Sequence, residues 1–245
     1  MTDGEARQLL SAGGAVAYYA LPTRYAEQPE RERLLSLLDA GERARYRRFR
    51  FDADRLCYLV AHALTRRALS SVSDVQPEAW RFSVGKHGKP EVANPTKGVS
   101  LRFNLSHTRG LVACALAFEA DVGVDVEHVT RTVEISRVAR SVFSPPELDE
   151  LASEGDEAGQ RTCFFRFWTL KEAYIKAVGA GLGMPLRRIA FDVSSPSAPR
   201  ISFSGIDDDP DAWLFHLHEP TPEHQLAIAL RNRESERPVV AGFEL

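Results

Sequence analysis

The chain has 245 residues, of which 44% are hydrophobic, so it is long enough to bury one large core or two smaller ones. Its formal net charge of −3 argues against a nucleic-acid partner. The first residues do not resemble a secretory leader, and no stretch approaches the roughly 18 apolar residues of a membrane span. The three cysteines, Cys57, Cys114 and Cys163, are odd in number and far apart, as expected of buried thiols. We therefore expect a cytoplasmic protein that does not associate with membranes.

The first half of the chain is predicted to be helical and then stranded. Residues 30–51 have a helical pattern that is interrupted at Gly41, and a longer helix is predicted from Asp54 to about Ser70. Strands are predicted around residues 80–84, 101–105 and 111–118, the last one central and buried. The stretch 85–90 between two of these strands contains glycine and proline and is predicted to be a turn.

An arginine-rich run follows the interruption in the first helical stretch. Its members are Arg43, Arg45, Arg47, Arg48 and Arg50, interleaved with aromatic residues. A charge run of this kind is usually a solvated helix edge, and the alternative is part of a pocket for a multiply phosphorylated ligand. Composition does not distinguish between the two.

A short acidic strand is predicted at the centre of the chain. In residues 123–127, valines alternate with acids, so a strand would place Asp125 and Glu127 on one face. Two adjacent carboxylates repel each other, and we expect a compensating positive charge nearby.

The order of elements then repeats. A helix is predicted from the proline-containing start at Ser144, and a second, buried helix covers Phe164–Val178 and is stopped by Gly179 and Gly181. Strands are predicted at residues 188–193, 212–218 and 225–230. We therefore predict an α+β fold of two similar halves, residues 1–120 and 121–245, with a ligand crevice between them.

The long second helix carries ionisable residues in an apolar setting. Trp168, Glu172 and Lys176 follow one another at four-residue steps on one face. An exposed Glu172–Lys176 ion pair would be the ordinary explanation and would contribute about 0.3–0.5 kcal/mol. The alternative is that this face points into the crevice with Asp125 and Glu127.

Taken together, these motifs resemble the 4′-phosphopantetheinyl transferases, and within them the long, pseudo-dimeric, surfactin-synthetase-activating type. The matching elements occur in the family's order: Gly88-Lys89-Pro90, Asn104-Leu105-Ser106-His107, Gly123-Val124-Asp125-Val126-Glu127, and Trp168-Thr169-Leu170-Lys171-Glu172-Ala173-Tyr174-Ile175-Lys176. Each motif alone is weak, but four in order are specific. The resemblance implies two α+β halves related by a pseudo-twofold axis, with the first half on the coenzyme A side and the second carrying metal and catalysis.

The resemblance also implies roles for individual residues. Asp125, Glu127 and Glu172 would ligate Mg²⁺, which would relieve the carboxylate repulsion. Lys89 and His107 would hold the nucleotide's 3′-phosphate region, Ser106 would add a hydroxyl donor, Lys171 and Lys176 would face the diphosphate, and Arg47 would line the mouth of the site. The chain departs from the family before Arg47, where Glu42, Arg43 and Arg45 replace lysines that are frequent there.

The implied reaction is attack by a serine of an apo carrier protein on the β-phosphorus of coenzyme A, with adenosine 3′,5′-bisphosphate released. Lys176 would stabilise the leaving phosphate, and Glu172 would act as the base or mainly as a metal ligand. The family implies a monomer. Two other functions are compatible with part of this pattern: another magnesium-dependent phosphoryl or nucleotidyl enzyme, and a non-enzymatic binding module for coenzyme A or a carrier. The second would gain nothing from three clustered carboxylates, and the first would not need Lys89 together with Ser106 and His107.

Overall fold

The computed structural model describes residues 1–85, 88–95, 98–195, 198–232 and 238–245, so Lys86 and His87 of the predicted 85–90 turn lie outside it. The helices of the described residues are α1 (Asp3–Ser11), α2 (Glu30–Leu37), α3 (Ala40–Arg48), α4 (Asp52–Ser71), α5 (Ile135–Val142), α6 (Pro145–Ser153) and α7 (Glu157–Val178). The strands are β1 (Ala15–Ala20), β2 (Phe82–Val84), β3 (Pro90–Val92), β4 (Leu101–Thr108), β5 (Leu111–Phe118), β6 (Val122–His128), β7 (Ile189–Asp192), β8 (Arg200–Phe203), β9 (Trp213–Thr221), β10 (His224–Arg231) and β11 (Val239–Gly242). None of these helices is long and apolar enough to cross a bilayer.

The elements form two repeats of one arrangement, which confirms the predicted α+β fold of two similar halves. In each repeat a strand, two short helices, a long helix, a small hairpin and a final hairpin follow one another. The main sheets are ordered β1-β5-β4 and β6-β10-β9, so the first strand of each repeat pairs with the last. The first sheet is extended by β11, which runs parallel to β1 although it lies near the end of the chain. The boundary at residues 120 and 121 stays a prediction.

Each sheet is covered by its own long helix. The apolar face of α4 packs on one side of the first sheet, and α7 packs on the second sheet in the same way. A third cluster, rich in alanine and valine, fills the space between the two halves and includes Ala113, Ala115, Val124 and Ile228. Small residues allow these strands to approach closely, so the halves share one continuous interior.

The two main sheets meet where β4 passes β6, and side chains make the connection. The amide of Val124 donates to the side-chain oxygen of Asn104 at 2.9 Å, and the amide of Val126 donates to the Ser106 hydroxyl at 3.2 Å. β6 is an edge strand of its sheet, so its outward N–H groups would otherwise lack partners. Asn104 and Ser106 are two residues apart and therefore share the face of β4 that reaches β6.

The long helix α7 contacts β6 at Gly123. A Cβ atom at this position would overlap the carbonyl oxygen of Ala173 and the amide nitrogen of Ala177. Glycine therefore lets the backbones of α7 and β6 touch, which brings the acidic strand against the helix that carries Glu172 and Lys176. At its far end α7 stops at Gly179, whose φ of 67° is the left-handed conformation usual at a helix end.

Among the described residues, four strands, β1, β3, β8 and β11, and two helices, α1 and α5, were not predicted from the sequence. β1 and β11 were not predicted, because β1 is apolar on both faces and β11 has only four residues, so neither shows a clear alternation. α5 was also missed, and α7 begins at Glu157 rather than Phe164, because its first turn is polar and exposed.

Candidate active site

The centre of the site is an ion pair between β6 and α7. The Lys176 ammonium lies 2.6 Å from Oδ1 of Asp125 and donates to the Ser106 hydroxyl at 2.8 Å. That hydroxyl in turn donates to the same Asp125 oxygen at 3.0 Å. Three predicted site residues therefore meet at one point, and they come from both halves of the chain.

The Asp125 carboxylate is buried and only half satisfied. The residue is 4% exposed, and its second oxygen, Oδ2, has no hydrogen-bond partner in the described part of the chain. Burial raises the pKa of Asp125, against the opposing effect of the Lys176 charge. A buried carboxylate oxygen without a donor is costly and indicates a position where a cation or donor is expected.

Both oxygens of Glu127 are engaged by neighbouring side chains. Arg131 donates through Nε to Oε2 at 2.8 Å and through Nη2 to Oε1 at 3.2 Å, and the Trp168 indole donates to Oε1 at 2.7 Å. The guanidinium also lies 5.2 Å from the centre of the Phe165 ring. Burial, followed by the nearby Asp125 charge, raises the pKa of Glu127.

Glu172 lies one helical turn before Lys176 and lines a cavity of about 240 Å³. Asn104, Lys89 and Ile175 are among the other lining residues. Burial raises the pKa of Glu172 to about 7, with a further upward contribution from the Asp125 charge. A carboxyl group with this pKa exists in both protonation states near neutral pH, as a general base or acid requires.

The three carboxylates were predicted to hold Mg²⁺. Within the ranges that the structure describes, no three or more histidine, cysteine, aspartate or glutamate side chains are arranged as metal ligands. The reason is that Asp125 Oδ1 faces Lys176 while Glu127 faces Arg131 and Trp168. Oδ2 of Asp125 has no hydrogen-bond partner among the described residues, and burial raises the pKa of all three carboxyls, with a further upward contribution from neighbouring carboxylate charge at Glu127 and Glu172. The donor set is therefore compatible with a hard divalent cation once these side chains turn.

Lys171 lies on a different face of α7 from the site. Its ammonium is buried 2.8 Å from Glu147 Oε2, and it donates to the carbonyl of Leu186 at 2.9 Å. Residues one and five positions apart on a helix point in different directions, so Lys171 cannot accompany Glu172 and Lys176 into the cavity. The structure contradicts the predicted contact between Lys171 and the diphosphate, because this lysine belongs to the core.

His107 points away from Ser106 because successive residues of a strand face opposite sides. It lines a second cavity, of about 560 Å³, together with Phe49, Cys57 and Tyr58. Ser106 and His107 are neighbours in sequence but lie on opposite faces of β4: Ser106 contacts Lys176 and Asp125, and His107 lines the second cavity. A ligand in contact with both would pass around the end of this strand.

Arg47 is exposed in the last turn of α3 and does not line either of these two cavities. The neighbouring Arg45 is closer to the second cavity, since its guanidinium lies 5.7 Å from the ring centre of Tyr58. The position of Arg47 therefore leaves its predicted role untested.

Lys89 reaches the site region but donates to backbone oxygens. Its ammonium lies 2.8 Å from the carbonyl of Lys176, 3.1 Å from that of Ala177 and 3.4 Å from that of Val122. All three of these bonds are to the protein backbone, so they give no support to the predicted contact between Lys89 and a phosphate.

Three residues at the site were not assigned a role from the sequence. Asn104 was noted only as part of a motif, and its two-residue spacing from Ser106 was the available signal. Trp168 was placed on the correct helical face but not linked to Glu127. Arg131 lies in the turn after β6, and nothing in its local sequence indicates that it donates hydrogen bonds to Glu127.

Comparison with known families gives matches over both halves. The profile described as "4'-phosphopantetheinyl transferase, N-terminal" matches residues 26–119, and that of the "4'-phosphopantetheinyl transferase superfamily" matches residues 121–230.

Several characterised proteins are similar to the chain. A phosphopantetheinyl transferase of Thraustochytrium is 31% identical over 84% of this chain and 74% of its own length. The 4′-phosphopantetheinyl transferase HetI of Nostoc is 35% identical, over 64% of this chain and 66% of its own length. The 4′-phosphopantetheinyl transferase Sfp of Bacillus subtilis is 28% identical over 84% of this chain and 87% of its own. Among solved structures, the holo-[acyl-carrier-protein] synthase of Thermotoga maritima gives a TM-score of 0.38 at 22% identity, covering 46% of this chain and 63% of that one.

Proposed function

Because the chain belongs to the 4′-phosphopantetheinyl transferase family, we propose that it transfers the 4′-phosphopantetheine group from coenzyme A to a serine of an apo carrier protein. The products are the holo carrier and adenosine 3′,5′-bisphosphate. The chain acts as a cytoplasmic monomer in this proposal, and its partners are acyl or peptidyl carrier proteins.

The cluster of Asp125, Ser106 and Lys176 is the observation that supports this proposal most directly. It places a lysine ammonium and a partly unsatisfied buried carboxylate beside a cavity that Glu172 also lines. Transfer from a diphosphate requires positive charge at the leaving phosphate and a group that takes the proton of the attacking hydroxyl. This cluster contains both kinds of group.

Asp125, Glu127 and Glu172 would hold Mg²⁺ in this proposal. When bound, the cation would neutralise charge on the diphosphate and polarise its phosphorus–oxygen bonds. Oδ2 of Asp125 has no hydrogen-bond partner among the described residues, so it could ligate a cation without breaking a hydrogen bond. Arg131 and the Trp168 indole together donate to both oxygens of Glu127 and hold its orientation.

The side chains of the cluster have separate tasks. Lys176 donates to the oxygen on which charge accumulates, because its side chain is 27% exposed and its ammonium is held by Asp125 and Ser106. Glu172, which lines the same cavity, accepts the proton of the carrier serine in this proposal. The cavity that Glu172 and Lys176 line is the space for the reacting diphosphate.

The nucleotide end of coenzyme A would occupy the second cavity, next to His107. Phe49 and Tyr58 offer aromatic surface there, and Arg45 over the Tyr58 ring adds a cation at the rim. Arg47 is exposed outside both cavities, and its place at the mouth of the site stays a prediction. This placement sends the ligand around the end of β4, from His107 on one face to Ser106 on the other.

Intact-mass analysis tests the proposal. The purified protein is incubated with coenzyme A, Mg²⁺ and a panel of apo carrier proteins, and a parallel sample contains chelator instead of Mg²⁺. We expect at least one carrier to gain the mass of one phosphopantetheinyl group in the first sample only. Hydrolysis of coenzyme A without any carrier adduct would instead indicate a different phosphoryl enzyme.

A further inference from the structure

The ammonium group of Lys89 is saturated by backbone carbonyls. A lysine ammonium has three N–H donors, and three carbonyl oxygens surround this one at 2.8, 3.1 and 3.4 Å. The side chain is partly buried, and burial lowers the pKa of Lys89. A phosphate could therefore bind to this ammonium only by replacing one of its backbone partners.

The three carbonyls belong to the two elements that carry the candidate site. Those of Lys176 and Ala177 are in the last turn of α7, where helix carbonyls lack partners within the helix. The third is that of Val122, at the start of β6. A cation at a helix C-terminus is also favoured by the negative end of the helix dipole.

The same region contains the backbone contact between α7 and β6. Gly123 follows Val122, and its missing side chain lets the β6 backbone touch the backbone at Ala177. Lys89 thus donates to carbonyls on both sides of this backbone contact, and the contact fixes the distance between Asp125 on β6 and Lys176 on α7. Lys89 itself precedes β3, so it reaches this junction from the other half of the chain.

We propose that Lys89 is a positioning residue that joins the end of α7 to β6 and thereby holds Lys176 in register with Asp125, and that it is not a ligand of the substrate phosphate. The proposal deepens the function given above, and its kinetic part rests on that function. Its structural part does not, since the hydrogen bonds concern only the protein.

Hydrogen–deuterium exchange tests the structural part. In Lys89→Met, which keeps the length of the side chain and removes the donors, amides of the last turn of α7 should exchange about tenfold faster than in the wild type. Exchange in α4 should not change. Arg102→Met is the matched control, because Arg102 is exposed and lies near Lys89, so that variant removes a neighbouring charge without removing these bonds. Unchanged exchange at the end of α7 in Lys89→Met would overturn the proposal.

Binding and kinetics test the second part. We expect Lys89→Met to bind coenzyme A within threefold of the wild-type Kd, while kcat for transfer falls about tenfold and KM stays within threefold. Lys89→Arg, which retains charge and donors, should recover most of kcat. An increase in Kd of tenfold or more for coenzyme A, with kcat unchanged, would show a phosphate ligand instead and would overturn the proposal.

The proposal can still be tested if Lys89→Met does not fold or if the wild type shows no transfer. If Lys89→Met does not fold, the same measurements on Lys89→Gln decide, with an intermediate change expected in exchange and in kcat. If the wild type transfers nothing to any carrier, the proposed function fails, and the exchange experiment still decides the structural role of Lys89.

Discussion

The Lys171 ammonium and the Glu147 carboxylate form an ion pair of 2.8 Å inside the second half of the chain, with exposures of 1% and 0%. The first half contains the same arrangement, in which Arg66 lies 2.7 Å from Glu42. In both halves the acid is the third residue of a short helix and accepts a hydrogen bond from the backbone N–H of the residue that precedes that helix. The cation in both comes from the long helix that follows.

The second set of bonds repeats as well. Arg66 donates to the carbonyls of Pro77 and Trp80, and Lys171 donates to those of Leu186 and Ile189, in each half just beyond the long helix. A buried cation needs such acceptors because its donors would otherwise be unsatisfied. The two halves therefore share a buried ion pair with corresponding carbonyl acceptors, as well as an order of elements, and Lys171 is the cation of the second pair.

Removing one partner of the buried Glu147–Lys171 ion pair should be strongly destabilising. Glu147→Gln leaves the Lys171 ammonium buried without its counter-charge, so we expect a loss of about 3–5 kcal/mol in the free energy of unfolding, measured in urea. The double variant Glu147→Gln, Lys171→Met should lose less than the two single variants together, since it leaves no buried charge. Additive losses would show that the pair is not coupled.

Glu42 should make the stability of the first half depend on acid pH. Burial alone would raise the pKa of Glu42, but the hydrogen bond from His62, the Asp39 amide and the Arg66 charge lower it to about 2. A carboxyl whose pKa is lower in the folded state stabilises the fold above its unfolded pKa of about 4.3, and this contribution disappears as the pH falls towards 2. It amounts to on the order of 3 kcal/mol.

Unfolding of wild type and Glu42→Gln between pH 7 and pH 2 checks this expectation. The difference between the two free energies of unfolding should be largest near neutral pH and should shrink steadily below about pH 4.3. A difference that stays constant with pH would contradict the lowered pKa of Glu42.

The sequence predicted the long helices and the central strands, because these have clear apolar periodicity and defined ends such as Gly179. It did not predict β1, whose residues are buried on both faces, or its pairing with β11, which lies more than two hundred residues away. Long-range pairing of this kind leaves no local pattern.

For the site, the sequence predicted which residues of one element share a face, but not the contacts that depend on tertiary packing. Residues at fixed spacing on one element, such as Asp125 with Glu127 and Glu172 with Lys176, could be placed on a common face. Lys171 adjoins Glu172 in sequence, but the packing of α7 on Glu147 determines where it points. The Arg131–Glu127 bonds depend on the path of a turn, which local sequence does not determine.

His107 should recognise the 3′-phosphate of coenzyme A. We expect His107→Ala to weaken binding of coenzyme A by about tenfold or more and to leave binding of its 3′-dephospho form almost unchanged, because only the former loses a charge-assisted hydrogen bond. Calorimetric titration of both ligands against both proteins measures this. Equal weakening for the two ligands would place the 3′-phosphate away from the His107 cavity.

Asp125→Asn should separate stability from metal binding. The variant removes a buried carboxylate whose pKa is raised, so its melting temperature without metal should equal or exceed that of the wild type. Added Mg²⁺ should raise the melting temperature of the wild type and not that of the variant, because a ligand that binds only the folded state stabilises it. Equal stabilisation of both proteins by Mg²⁺ would place the cation elsewhere.

Single-turnover transfer to an apo carrier, followed by intact mass for wild type and Glu172→Gln in parallel, tests the account most directly. We expect the variant to retain its metal-free melting temperature, because one of three clustered carboxylates is removed, while its rate falls on the order of 10²-fold or more through loss of proton transfer or metal positioning. Transfer by Glu172→Gln at a rate close to that of the wild type would contradict it, since Glu172 and its cavity would then have no part in the reaction.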